Sequence, residues 1–244
     1  MKEKKEDNTY TQEIHSMYCY KGTNVFKNTF HIHDKDLLEK QEALLVTFQT
    51  SKLMLSDKCS PQERKLYRIA KSNDFDVEQY LAIHKFLFGG IYPEFAGKIR
   101  SEDIAKGGIT FCTHFNIYSY LNDELNKFKS NILHCNTVDE FLNCLAYSYG
   151  EINMVHPFNE GNGRTQREFF RQFVEFYSKK LGFGQLTLDY SIMKDKPELH
   201  DDIIKGSIQA GVRCEYGILK YVLENILVEK NQLLNRGNKN GISK

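Results

Sequence analysis

The 244-residue chain is 41% apolar and 13% aromatic, enough to bury one substantial core with an appended arm. Its 33 Lys and Arg against 32 Asp and Glu leave a formal charge of +1, so no global field concentrates nucleic acid, which argues against nucleic acid as a partner. The start, Met1-Lys2-Glu3-Lys4-Lys5-Glu6-Asp7, is charged. No apolar stretch long enough for a signal peptide or a membrane span follows it, which points to the cytoplasm unless a specialised secretion system exports the chain.

Residues 1–60 read as an N-terminal arm packing on the core, with Pro61 at the join to a main domain of residues 61–230. Within the arm, His31-Ile32-His33 with Asp34 and Asp36 lacks zinc-ligand spacing and reads as a solvated turn. The six cysteines form no Cys-x-x-Cys pair and read as reduced core thiols. The first predicted helix opens on a capping box of Asp76 and Gln79, carries Tyr80, Leu81, His84, Leu87 and Phe88 at helical spacing, and stops at Gly89-Gly90. Between residues 99 and 111, a glycine turn flanked by β-branched and aromatic residues, Lys106-Gly107-Gly108-Ile109-Thr110-Phe111, predicts a small hairpin. Phe115, Tyr118, Leu121, Leu125, Phe128 and Ile132 trace a second apolar helical stripe. Thr137 and Glu140 form the clearest capping box in the chain and open a helix bearing Phe141, Leu142, Leu145, Tyr149 and Ile152. Pro157 cannot continue that helix, so His156 falls just past its end. The helical pattern resumes after Gly163 with Phe170, Phe173, Val174 and Tyr177 and breaks at Gly182 and Gly184. Helices are predicted over 198–209 and 216–229, and residues 231–244 read as a flexible polar tail.

The run from His156 to Arg167 thus joins two helices, and no other segment is so chemically loaded. A helix that starts near Asn162 presents unpaired N–H groups and partial positive charge, which suits phosphate. Gly161 and Gly163 clear side chains from the approach, and Arg164 and Arg167, three apart, are neighbours on the first turn that can reach a polyphosphate. Glu160 would repel phosphates unless a cation lies between them, and Mg²⁺ is the ion that combines one carboxylate with phosphate oxygens and waters. His156 stands across the loop as a proton acceptor for an incoming hydroxyl. Blander readings stand beside each of these: a capping histidine, an ordinary Gly-Asn-Gly turn, and arginines that pair with Glu168 and Glu175 along the helix. A P-loop is ruled out, because Gly97-Lys98 would need glycine where Tyr92 stands and Ser or Thr where Ile99 stands.

Residues 156–167 match every specified position of His-x-Phe-x-Asp/Glu-Gly-Asn-Gly-Arg-x-x-Arg, so the chain resembles the Fic family, over about residues 18–226 when the hairpin and the arm segment Tyr20-Lys21-Gly22-Thr23-Asn24 are included. The resemblance implies an all-α Fic-fold helical bundle with a small β-hairpin flap. It implies a protein adenylyltransferase that moves AMP from ATP, with Mg²⁺, onto a Ser, Thr or Tyr hydroxyl of a target protein. By the same resemblance His156 is the general base, Phe158 the core anchor of the loop, and Glu160 the Mg²⁺ ligand. Gly161, Asn162 and Gly163 form the anion nest, while Arg164 and Arg167 are phosphate clamps, with Arg167 on the γ-phosphate. The flap residues Lys106, Gly107, Gly108, Ile109 and Thr110 pair with a stretch of the target. The family's inhibitory pattern, Ser/Thr-x-x-x-Glu-Gly/Asn, is absent: Glu160-Gly161 and Glu224-Asn225 are preceded four residues earlier by His156 and Lys220. Arg167 is therefore expected to be unrestrained, or blocked by a small separate antitoxin. Two alternatives stay open, a non-catalytic nucleotide-binding module and a Fic enzyme using another donor, UMP or phosphocholine. Transfer of a whole phosphate is disfavoured, since lysine takes the place of Gly163 in that branch.

Overall fold

A computed structural model describes residues 17–55, 59–106 and 108–231. The charged start, Gly107 and all but the first residue of the predicted tail lie outside the described residues. The architecture is helical, with two small antiparallel two-stranded sheets. In chain order the elements are α1 (Lys35–Met54), α2 (Arg64–Ala70), α3 (Val77–Phe88), β1 (Ala105–Lys106), β2 (Ile109–Thr110), α4 (Ile117–Ile132), α5 (Val138–Val155), α6 (Asn162–Lys180), β3 (Leu186–Leu188), α7 (Ile192–Asp195), α8 (Pro197–Arg213), α9 (Gly217–Ile226) and β4 (Leu227–Glu229).

Helix α5 lies at the centre, packed by α4, α6, α8 and α9, and its start is fixed as the capping pattern requires. The Thr137 hydroxyl accepts the Glu140 N–H at 3.2 Å, and the Glu140 carboxylate reaches back to the Asn136 N–H at 2.7 Å. Helix α6 carries a wholly buried aromatic run, Phe169, Phe170 and Phe173, in which Phe170 meets Tyr149 of α5 at 4.9 Å and Phe173 stacks on Phe128 of α4 at 3.7 Å between centroids. Helix α8 closes on α5 at Gly150, where an added Cβ would come within 2.5 Å of the Ala210 Cβ. That close crossing brings the outer face of α8 alongside the end of α5 where His156 sits.

Three sequence expectations are corrected by the fold, and one unpredicted helix is added. The stripe of α4 begins at Ile117, fully buried, while Phe115 and Tyr118 are 86% and 61% exposed. Phe115 belongs to a 3₁₀ turn (His114–Asn116) ahead of the helix, and Tyr118 sits one step round from the buried face. The helix predicted over 216–229 stops at Ile226, because residues 227–229 extend to pair antiparallel with 186–188. The cysteines are free but lie at the margin of the core, five half-buried and Cys214 exposed. The arm also contains α1, which the pattern had hidden. Its buried residues are Leu38, Glu42, Val46 and Leu53, while Leu37, Leu44 and Phe48 face outward and blur the period. Asp34 caps α1 by accepting the Leu37 N–H at 2.8 Å, and His33 stacks on Tyr20 at 3.8 Å.

Candidate active site

The loop between α5 and α6 turns on two left-handed residues, His156 (φ 46°, ψ 62°) and Gly161 (φ 83°). At Gly161 the constraint is double, for a Cβ would also strike the Phe88 ring at 2.5 Å. Gly161→Ala is expected to destabilise the fold by about 1–3 kcal/mol, read as a lower urea midpoint at unchanged slope. Gly163, by contrast, has open space where its Cβ would stand. Asn162 ties the loop into a ring: its Oδ1 accepts the Phe158 N–H at 2.9 Å and its Nδ2 donates to the Phe158 carbonyl at 2.7 Å. Phe158 is fully buried, stacked between His84 at 3.7 Å and Tyr80 at 5.9 Å.

His84 is a positioning group that sequence reading placed in an apolar stripe without a role. Its Nδ1 accepts the Gly97 N–H at 2.7 Å, so the proton is on Nε2, which donates to the Glu160 carbonyl at 2.9 Å. A histidine inside an otherwise apolar helix face was the signal that could have found it. Burial pushes its pKa down to about 3. The depressed value means that its contribution to stability is complete above the unfolded histidine range near 6.5 and is lost as pH falls toward 3. Urea midpoints should therefore drop over that window, and the drop should be shallower in His84→Gln; equal slopes in both proteins would show that His84 is charged in the fold.

The His156 ring stacks on Phe111 at 3.8 Å and 17°, and its Nδ1 lies 3.2 Å from the Asn153 carbonyl. A carbonyl only accepts, so Nδ1 carries the proton and Nε2 is left as an acceptor. Burial, opposed by the Asn153 hydrogen bond and aided by the charges of Lys106 and Arg100, lowers the pKa to about 4, which keeps the ring neutral at pH 7.

His156, Glu160, Asn162, Gly163 and Arg167 line one cavity of 1030 Å³, together with Lys106 and Ile109 of the hairpin. The hairpin pairs Ala105 with Thr110 and Lys106 with Ile109, and Gly108 at φ 78° takes the turn. Thr110 lines a smaller groove with Phe111 and Cys112. Arg167 lies over the Tyr190 ring at 5.9 Å, and among the described residues no carboxylate pairs with it. Arg164 is not on the cavity wall. Its guanidinium sits 2.5 Å from Glu42 of α1, 3.1 Å from Glu160, and 4.8 Å from the centroid of the Phe88 ring. The Glu160 carboxylate also accepts the Gly161 N–H at 2.8 Å. Neither motif arginine pairs with Glu168 or Glu175; Arg171 takes both, at 2.6 Å each. Two walls escaped the sequence reading: the arm, through Thr23 and Asn24, and α8, through His200, Ile204 and Ile208. The four-residue spacing of those α8 side chains outside its buried face was the available signal.

Residues 74–174 match the model of the Fic/DOC family. The chain is 30% identical over 162 residues to the probable protein adenylyltransferase Fic of Salmonella typhimurium, covering 64% of this chain and 71% of that one. The chain belongs to the Fic/DOC family. It is also 35% identical over 159 residues to the protein adenylyltransferase VbhT of Bartonella schoenbuchensis, with 64% of this chain aligned, though it spans only 30% of VbhT's length. Among solved Fic structures, the fold resembles BepC of Bartonella tribocorum with bound AMPPNP, at TM-score 0.68 and 22% identity over 87% of this chain and 97% of that one. It also resembles a Bartonella quintana Fic domain with bound ADP, at TM-score 0.70 and 21% identity over 89% and 97%. These two likenesses establish the all-α Fic fold with its hairpin.

Proposed function

We propose that this Fic/DOC chain is a protein adenylyltransferase, moving AMP from ATP onto a Ser, Thr or Tyr hydroxyl of a target protein. The observation that carries the reading is one juxtaposition: His156, whose Nε2 is left as an acceptor, lines the same cavity as Asn162 and Gly163 at the N-terminus of α6 and as Arg167, which has no carboxylate partner among the described residues. The triphosphate would lie along that helix end, where N–H groups and the open side of Gly163 meet it, with Arg167 on the γ-phosphate. The acceptor hydroxyl attacks the α-phosphorus and passes its proton to Nε2. The bond from the α-phosphorus to the bridging oxygen breaks, and pyrophosphate leaves. Among the described residues no three metal-ligating side chains cluster into a metal cage. Glu160, which lines the cavity, would hold Mg²⁺, and the ion would neutralise phosphate charge. Arg164 balances that carboxylate and moors the loop to α1. The hairpin would register the target as an added strand.

Because Arg167 has no carboxylate partner among the described residues, a separate small protein supplying a glutamate is the inhibitor this reading calls for. No described helix is long and apolar enough to cross a membrane. The test is incubation with α-labelled ATP, GTP, UTP or CTP in a lysate, followed by mass spectrometry of any labelled band. Transfer of label from ATP to a protein hydroxyl supports the reading; nucleotide binding without transfer would leave a docking module, and preference for another base would change the donor.

A further inference from the structure

We propose that Arg100 is a positioning residue for this reaction: a single buried guanidinium ties both feet of the hairpin to the main chain that carries His156. The inference rests on the adenylyltransferase reading above. Arg100 is 2% exposed, and its nearest carboxylate, on the exposed side chain of Asp103, stands 3.9 Å away. That carboxylate is already taken up by the backbone N–H and ring of His114. The charge of Arg100 is met instead by carbonyl oxygens. Its Nε–H donates to the His156 carbonyl at 2.8 Å, Nη1 and Nη2 donate to the carbonyls of Glu102 and Cys112, and Nη2 lies 3.5 Å from the Val155 carbonyl. Glu102 and Cys112 flank the hairpin on its two sides, while Val155 and His156 end α5, where carbonyls have no partner within the helix and the dipole is negative. Two backbone bonds run parallel, from the Arg100 N–H to the Pro157 carbonyl at 2.9 Å and from the Cys112 N–H to the Met154 carbonyl at 3.0 Å.

A buried cation whose ion pair is as long as 3.9 Å is costly unless its other donors are satisfied, and only a planar fork can serve three separate segments at once. What this arrangement fixes is the geometry of the base. His156 occupies the left-handed region, which a non-glycine residue holds only when its surroundings insist. The Phe111 ring beneath the imidazole precedes Cys112, so the same guanidinium anchors the base's backbone and the platform it stacks on. The hairpin that would deliver the acceptor hydroxyl and the nitrogen that would take its proton therefore share one anchor, and a displacement of about 1 Å between them costs on the order of 100-fold in rate.

Arg100→Lys and Arg100→Gln in the full chain test this against the unaltered protein. Folding is followed by circular dichroism, ATP affinity by calorimetry, transfer by labelled ATP, and the His156 ring by ¹⁵N spectra. The expected result is ATP affinity within about twofold, kcat for transfer lower by about 10- to 100-fold, and a His156 ring that changes from one Nδ1–H tautomer to a mixture. A folded variant with unchanged kcat or an unchanged tautomer would overturn the proposal, as would a loss of rate fully matched by loss of ATP binding. If both variants fail to fold, Arg100 belongs to the core alone and the proposal falls. Should the unaltered chain transfer no AMP, the functional reading fails, and the ¹⁵N spectra still decide the role of Arg100.

Discussion

His156→Ala should fold and bind ATP as the parent does, yet lose AMP transfer by about 10²- to 10⁴-fold, the usual contribution of a positioned general base. Binding survives because the triphosphate would meet the α6 terminus and Arg167, and the substitution alters neither. The fold survives because the bonds holding this corner use the His156 carbonyl, which alanine keeps, and because the lost ring stacks on Phe111 at the cavity wall instead of filling the core. Alanine also inherits the left-handed backbone, so a modest fall in melting temperature is expected without loss of cooperativity. The measurement is single-turnover transfer from labelled ATP beside a calorimetric ATP titration. Equal transfer rates in the two proteins would remove His156 from the chemistry, and parallel loss of binding would recast it as part of the nucleotide site.

The legible parts of this molecule are those where sequence neighbours are also spatial neighbours. The loop from His156 to Arg167 was readable because capping, proline and glycine chemistry are local: Thr137 opens α5, Pro157 forbids its continuation, and Gly161 permits the turn into α6. The hairpin was readable for the same reason, its turn lying within one short segment. What could not be read were partners distant in the chain. Glu42 meets Arg164 across more than a hundred residues, and a local reading paired the motif arginines with Glu168 and Glu175, which the buried Arg171 takes instead. His84 and Arg100 are hidden similarly, because their acceptors are main-chain carbonyls that leave no residue-type signature. Helix α1 was lost to its two-sided apolar pattern, and β4 to its continuity with α9.

Arg167→Ala should separate nucleotides by their phosphate count. If its guanidinium holds the γ-phosphate, ATP loses a charge-assisted contact and ADP does not, so ATP affinity falls while ADP affinity is unchanged. The effect on transfer should exceed that on binding, because the pyrophosphate end must be held still and its growing charge neutralised as the α-phosphorus is attacked; losing one such donor costs about 10²- to 10³-fold in rate. Stability should barely move. Among the described residues Arg167 breaks no ion pair on removal, and its ring contact is with Tyr190, 5.9 Å away. This contrasts with Arg164, whose loss would deprive the buried carboxylate of Glu42 of its ion pair, leaving it the Tyr92 hydroxyl, and should lower the melting temperature. The two motif arginines are thus expected to fail in different ways, Arg167 in transfer with the fold intact and Arg164 in the fold. Paired melting curves and ATP and ADP titrations on both variants distinguish them. A variant at Arg167 that weakens ATP and ADP equally would mean that its guanidinium serves the α- or β-phosphate, and that the triphosphate lies in the cavity in the opposite register.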